Sequence, residues 1–214
     1  MYKILIVGKK SFIATNIHEN INYKTNLIDY NEILKKKESF LRKFDFIINC
    51  SSNLNFINRR YKVRFDHDYN ITLKIKNLNC VFIFLSTRKV YFPKANIKEN
   101  DKINPKCNYS KNKYISEKKV ISVLKKKVLI LRASNIIGYD SNKSKRKLHT
   151  IFVDLFIQNI KKGIIFKNPG IFKDFLPIKI FVKILKALIR LRCFGIYNIS
   201  FGNKIYLDNI LNWL

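Results

Sequence analysis

Tyr109 and Lys113 stand four residues apart in the run Asn108-Tyr109-Ser110-Lys111-Asn112-Lys113. On a helix that spacing puts both side chains on one face. A phenol beside an ammonium is a proton-transfer pair, because the positive charge favours tyrosinate and draws its pKa down from about 10 towards the working range. In a chain with 43 lysines and arginines such a spacing arises readily by chance. It gains weight from what precedes it: Phe82-Ile83-Phe84-Leu85-Ser86-Thr87, a buried strand that emerges into hydroxyls.

Those side chains need a scaffold, and short β-branched runs alternating with helical stretches predict one. Strands are expected at 3–7, 26–29, 46–50, 81–86 and 128–132, and helices at about 11–20, 33–44, 67–78 and 109–125. Near-continuous hydrophobicity suits strands buried on both faces of a parallel sheet. Beyond Asn135 the pattern loosens into a polar, basic loop at 139–147. A helix at 148–160, a strand near 164–166, a helix at 178–192, a strand at 196–199 and a terminal helical segment at 207–214 follow. The fold class is therefore α/β, a doubly wound parallel sheet, with no clean domain boundary. The expected strand order is 3-2-1-4-5-6 with right-handed crossovers.

The first strand runs into Gly8-Lys9-Lys10-Ser11-Phe12-Ile13-Ala14, a glycine frame with Ser and Ala at its second and third places. Gly8 can make the tight turn, and small Ser11 and Ala14 allow close backbone approach with a pyrophosphate at the helix N-terminus. An ordinary strand-to-helix turn would read the same way. Asp29, at the end of the second strand, stands where a carboxylate accepts hydrogen bonds from an adenosine ribose, or is simply a solvated loop acid.

Composition sets bounds. Hydrophobic content of 47% is ordinary for a globular protein. No apolar run approaches the roughly 20 residues that span a bilayer, and the first, Ile4 to Val7, is too short for a signal-peptide core. Cys50, Cys80, Cys107 and Cys193 are scattered, with no Cys-x-x-Cys pair, and read as reduced thiols in a cytoplasmic protein without a metal site. The formal charge of +29 comes from lysines that punctuate every element instead of forming one stripe. It draws in polyanions generally, so no specific nucleic-acid partner is expected, although an anionic sugar nucleotide would be attracted.

Taken in order, the motifs resemble the extended branch of the short-chain dehydrogenase/reductase superfamily, the NAD-dependent epimerase/dehydratase family. Gly8 to Ala14 resembles its glycine motif, and Asp45 to Ser52 its third strand. Tyr69-Asn70-Ile71-Thr72 resembles the helix segment that carries a structural or catalytic asparagine. Leu85 to Tyr91 resembles the hydroxyl motif, with Thr87 three residues before Val90-Tyr91. Leu131 to Gly138 resembles Leu-Arg-x-x-Asn-x-x-Gly, Lys173-Asp174-Phe175 the Arg-Asp-Phe segment, and Ile196 to Gly202 the closing Tyr-Asn-Ile-Gly segment.

The resemblance implies a Rossmann-type doubly wound parallel sheet with a small C-terminal substrate lobe. Residues 1–135 would form the dinucleotide-binding part with the Tyr-Lys helix, and 136–214 mainly the substrate-binding lobe, not an independent domain. The resemblance also implies a catalytic set of Thr87, Tyr109 and Lys113. It implies a cofactor site of Gly8, Ser11, Phe12, Ile13, Asp29, Ser51 and Lys113, and a substrate side of Thr87, Asn135 and Lys173. The cofactor would be NAD or NADP; Asp29 favours NAD because its charge repels a 2′-phosphate, while Lys9 and Lys10 point towards NADP. The substrate would be a nucleotide-linked sugar and the assembly a homodimer. Family dehydratases carry an Asp-Glu pair directly after the catalytic Thr, where this chain has Arg88 and Lys89. An Arg cannot serve as a general acid near neutrality, so dehydration is disfavoured. Reduction of a 4-keto-6-deoxyhexose nucleotide is the expected reaction, with 4-epimerisation as alternative. The two altered motif glycines leave a non-catalytic dinucleotide-binding relative as a second alternative.

Overall fold

The computed structural model describes residues 1–138, 158–159, 161–163, 170–206 and 209. Six strands form one wholly parallel sheet: β1 (Lys3–Val7), β2 (Lys24–Ile28), β3 (Phe46–Asn49), β4 (Val81–Thr87), β5 (Val128–Ala133) and β9 (Gly195–Ile199). Helices α1 (Phe12–Asn20) and α7 (Ile178–Arg190) cover one face. Helices α2 (Tyr30–Lys35), α3 (Glu38–Leu41), α5 (His67–Ile75) and α6 (Asn108–Leu124) contribute to the other, and the short α4 (Leu54–Asn58) packs against α6. Period-two alternation serves both faces at once: Ile4 and Ile6 join Ile17, Phe181 and Leu185 in one core, while Leu5 and Val7 join Ile71, Val120 and Phe84 in the other.

The order across the sheet is β2-β1-β3-β4-β5-β9, not the expected 3-2-1-4-5-6. The third strand lies between β1 and β4. Side-chain burial gives the reason. All four residues of β3 are buried, as an interior strand requires, whereas β2 exposes Lys24 and Asn26 and buries only Ile28 fully, as an edge strand does. The chain therefore steps outward from β1 to β2 and back across to β3, and the direction of winding reverses between β1 and β3. Ligands of open α/β sheets bind in the crevice at the carboxyl ends of such a pair.

The helix expected at 33–44 is two short ones. Lys36 takes an extended conformation (ψ 142°) after α2, and α3 restarts beyond Lys37; Ile33 and Leu41 anchor the two pieces in the core. The other main elements lie within about three residues of their expected bounds. The C-terminal stretch does more than form a lobe, since it supplies α7 and β9 to the central sheet. It also makes two small ladders, β6 (Asn135–Ile137) beside β8 (Phe175–Pro177) and β7 (Phe172–Lys173) beside β10 (Ile205–Tyr206). The loop at 139–147, the helix at 148–160, the strand near 164–166 and the terminal segment from 207 lie outside the described residues, apart from 158–159 and 209. No helix among the described residues is long and apolar enough to cross a membrane.

Candidate active site

At the reversal point the backbone leaves β1 through Gly8 with φ +110°. A Cβ on Gly8 would stand 2.9 Å from the Ser51 nitrogen and 3.1 Å from the Cys50 carbonyl carbon. The end of β3 thus presses directly on this turn, and only glycine fits it. The Gly8 N–H donates to the Ile28 carbonyl at 2.8 Å, and its own carbonyl accepts from the Ser11 N–H at 2.7 Å. Ser11 then caps α1 in extended conformation without using its hydroxyl on the first turn, which carries no acidic side chain. The amides of that turn and the positive helix end therefore face the crevice uncapped. Ala14 is fully buried and Phe12 nearly so, so from Phe12 only backbone is offered to a ligand, while Ile13 and Asp29 are half-buried. The Asp29 N–H donates to Glu32 Oε2 at 2.9 Å as α2 begins.

A buried polar chain leads from this turn to the Tyr-Lys pair. The Ser51 hydroxyl donates to Asn49 Oδ1 at 2.6 Å, Asn49 Nδ2 donates to Asp68 Oδ1 at 2.7 Å, and Lys113 Nζ donates to Asp68 Oδ2 at 2.8 Å. Lys113 also lies 4.5 Å from the centre of the Phe84 ring on β4. Tyr109 is one turn before it on α6, half-buried, and the two feel each other's charge. Burial alone would lower the Lys113 pKa, but Asp68, Tyr109 and Asp66 together carry it above the ordinary value. Burial raises Asp68 against the pull of Lys113. His67, beside Ser51 Oγ at 3.0 Å and stacked on Tyr30 with ring centres 3.5 Å apart, is held down to about 4 by burial and then by Lys113.

Thr87 ends β4, buried, with its Oγ1 accepting the Lys89 N–H at 3.3 Å. A single 3-10 turn (Arg88–Val90) follows and packs on α6. The helix is fixed to the sheet by Glu117, which accepts from Ser86 on β4 and from Arg132 on β5, where Nη2 lies 2.6 Å away. Arg132 also donates to the Tyr91 hydroxyl, which in turn donates to Asn198 Oδ1 at 3.0 Å. The Val-Tyr end of the hydroxyl motif is thereby tied to β9. Asn135 Nδ2 donates to the Asp174 carbonyl at 2.9 Å, so it secures the β7–β8 corner. Lys173, half-buried there, has its pKa lowered by burial and by the charges of Arg88 and Lys89, which places it near the turn after Thr87.

One expectation is corrected. Tyr109 is not drawn down: burial raises it, and the opposing pull of Lys113 does not make up the difference. Asn70 has the structural of its two expected roles, its Nδ2 donating to the Tyr30 hydroxyl at 2.9 Å and to the Val63 carbonyl at 3.2 Å. The inward carboxylate of α5 is Asp68, which sequence reasoning missed. The signal was present, because positions 68, 71, 72 and 75 form one helical stripe whose four members are all buried; Asn70 lies off it.

The NAD dependent epimerase/dehydratase family model matches residues 4–199. No curated protein matches the sequence significantly. Among solved structures, the chain is similar to an NAD-dependent NDP-hexosamine 5,6-dehydratase of tunicamycin biosynthesis (TM-score 0.79, 16% identity, 99% of this chain and 80% of that one). It is also similar to a UDP-N-acetylglucosamine 4-epimerase from Methanobrevibacter ruminantium (0.76, 19%, 99% and 80%). A third is a dTDP-4-dehydrorhamnose reductase from Clostridium acetobutylicum (0.74, 17%, 97% and 77%). At these identities the likeness is one of fold.

Proposed function

The chain belongs to the NAD-dependent epimerase/dehydratase family, and from that premise we propose that it is an NAD(P)-dependent oxidoreductase of nucleotide-linked sugars, reducing a 4-keto-6-deoxyhexose nucleotide. The observation that carries the reading is the unbroken polar path from the Gly8 crevice through Ser51, Asn49 and Asp68 to Lys113, with Tyr109 one turn away. It links a dinucleotide-shaped turn to a proton-transfer pair.

A dinucleotide fits what is present. The Gly8 turn leaves a cradle that a Cβ would fill, and the uncapped start of α1 suits a pyrophosphate. Gly8, Ser11 and the amides of Phe12 and Ile13 would hold that group, with Asp29 and Ser51 beside it and Lys113 on the nicotinamide ribose. When bound, the nicotinamide supplies the hydride.

The remaining chemistry belongs to this chain. Tyr109 Oη gives its proton to the keto oxygen at C4, and Thr87 Oγ1 hydrogen-bonds that oxygen. Burial keeps Tyr109 in its protonated form, as a donor to a ketone must be. Lys113 spends one ammonium proton on Asp68 and retains two donors for the phenol and a ribose hydroxyl. Arg88 and Lys89 offer no carboxylate to expel a hydroxyl, which argues against dehydration. Tyr109 could serve reduction or epimerisation, and reduction asks the least of it, a single proton delivered to the ketone. Titration with NADH and NADPH, followed by turnover of dTDP- and UDP-linked 4-keto sugars, tests the proposal. Tight dinucleotide binding without reduction of any keto sugar would reject it.

A further inference from the structure

Arg88 lies outside the chemistry described so far, and its Nε lacks a hydrogen-bond partner. Among the described residues its Nε is the buried side-chain nitrogen that makes no hydrogen bond, and no carboxylate lies within ion-pair distance of it. A buried donor left unmatched is costly, so the position suits an incoming acceptor.

Arg88 borders a cavity of about 190 Å³ together with Lys94, Arg132, Ser134, Asp174 and Lys204. Four of these six are cationic. Lys94 is neutralised by Asp101 at 2.8 Å and Arg132 by Glu117 at 2.6 Å. The one acid of the six is spent elsewhere. Asp174 Oδ1 accepts from the Ser134 hydroxyl and the Phe201 N–H, and its Oδ2 from the N–H groups of Gly202 and Asn203. Four donors fill the four acceptor positions of a carboxylate, so Asp174 makes no hydrogen bond to Arg88 and acts on it through its charge alone. The cavity opens beside the ends of β5 and β9, and neither Gly8, Ser11 nor Ser51 lines it; it is not the dinucleotide crevice.

We propose that this cavity is an oxyanion site of the substrate, with the guanidinium of Arg88 engaging a phosphate or carboxylate oxygen pair. The planar fork of Arg suits both groups. The identity of the incoming molecule rests on the reading of the chain as a sugar-nucleotide enzyme. In such a molecule the oxyanion is either the diphosphate or an acidic substituent of the sugar.

The test is titration calorimetry on wild type, Arg88→Met and Arg88→Lys with UDP, UDP-glucose, UDP-glucuronate and NADH. Because Arg88 makes no hydrogen bond or ion pair among the described residues, Arg88→Met should melt close to wild type and bind NADH equally. Loss of a charge-assisted contact corresponds to roughly 10- to 100-fold in affinity. Equal weakening of UDP-glucose and UDP-glucuronate in Arg88→Met assigns the site to the diphosphate; weakening of UDP-glucuronate alone assigns it to a sugar acid. Arg88→Lys should recover part of the loss. Unchanged affinity of Arg88→Met for all three uridine nucleotides overturns the site, whatever NADH does. If wild type binds none of them, nor dTDP and dTDP-glucose, the sugar-nucleotide reading fails instead. Inorganic phosphate then decides the site: a melting-temperature rise in wild type that Arg88→Met lacks supports it, and equal behaviour overturns it.

Discussion

Lys113 and Asp68 meet through a 2.8 Å Nζ–Oδ2 contact with side-chain exposures of only 7% and 4%. The ammonium on which the Tyr-Lys pair depends is thus shared with a carboxylate from a different helix. Asp68→Asn keeps the size and one acceptor oxygen but removes the charge. After burial and against Lys113, Asp68 is among the charges that hold Tyr109 up, so its loss should move the pH dependence of turnover to lower pH. Removing one member of a buried pair costs up to about 3–5 kcal/mol, which urea denaturation will read. A destabilised variant with an unmoved pH profile would make Asp68 a structural counter-ion only.

Tyr109→Phe deletes the proposed proton donor and keeps the ring. Loss of a positioned general acid costs about 10²–10⁴ in rate. Turnover of a 4-keto sugar nucleotide should fall by that much, while melting temperature and dinucleotide affinity stay close to wild type. Lys113→Met should reduce both turnover and dinucleotide affinity. Wild-type turnover by Tyr109→Phe would refute the assigned mechanism and leave the fold untouched.

His67 makes stability depend on acid. Its folded-state value of about 4 lies below the ordinary 6.5, so the unfolded chain takes up this proton first. Its contribution is complete above about pH 6.5 and is lost as pH falls from there towards 4. His67→Phe retains an aromatic ring against Tyr30 but cannot titrate. Melting temperatures from pH 7 to 4 should fall more steeply for wild type than for the variant.

Gly8→Ala forces a Cβ to within 2.9 Å of backbone, at a φ that side chains rarely adopt. A strained backbone position costs about 1–3 kcal/mol. Because the obstructing atoms belong to the end of β3, the variant should lose dinucleotide affinity as well as stability. Calorimetry on the folded variant measures the first and thermal melting the second.

Much of this architecture was legible in the sequence because its strands are short, apolar and separated by amphipathic helices. Strand order was not, although the evidence lay in the same letters: Lys24 and Asn26 mark β2 as an edge, and Phe46-Ile47-Ile48 marks β3 as interior. A familiar order imposed on numbered strands outweighed that contrast. In the site, the Tyr109–Lys113 spacing carried its own meaning, since four residues on a helix fix a shared face. Asp68 stayed hidden because an acid in the first turn of a helix has an ordinary explanation in the helix dipole, and only its place on the buried stripe says otherwise. The raised Tyr109 was out of reach, since burial there depends on segments far away in sequence.

The packing of α1 against α7 has a kinetic consequence. Ile17, on α1, is buried with Phe181 and Leu185 from a helix that begins 166 residues after α1 does (Phe12 to Ile178). At about 5–20 residues per second, roughly ten to thirty seconds of synthesis separate the two. During that interval β1 and β2 cover part of the apolar side of α1 but α7 does not, and β5 still lacks its neighbour β9. Strands β1 to β5 and α1 are therefore made with apolar surface that stays open until α7 and β9 follow.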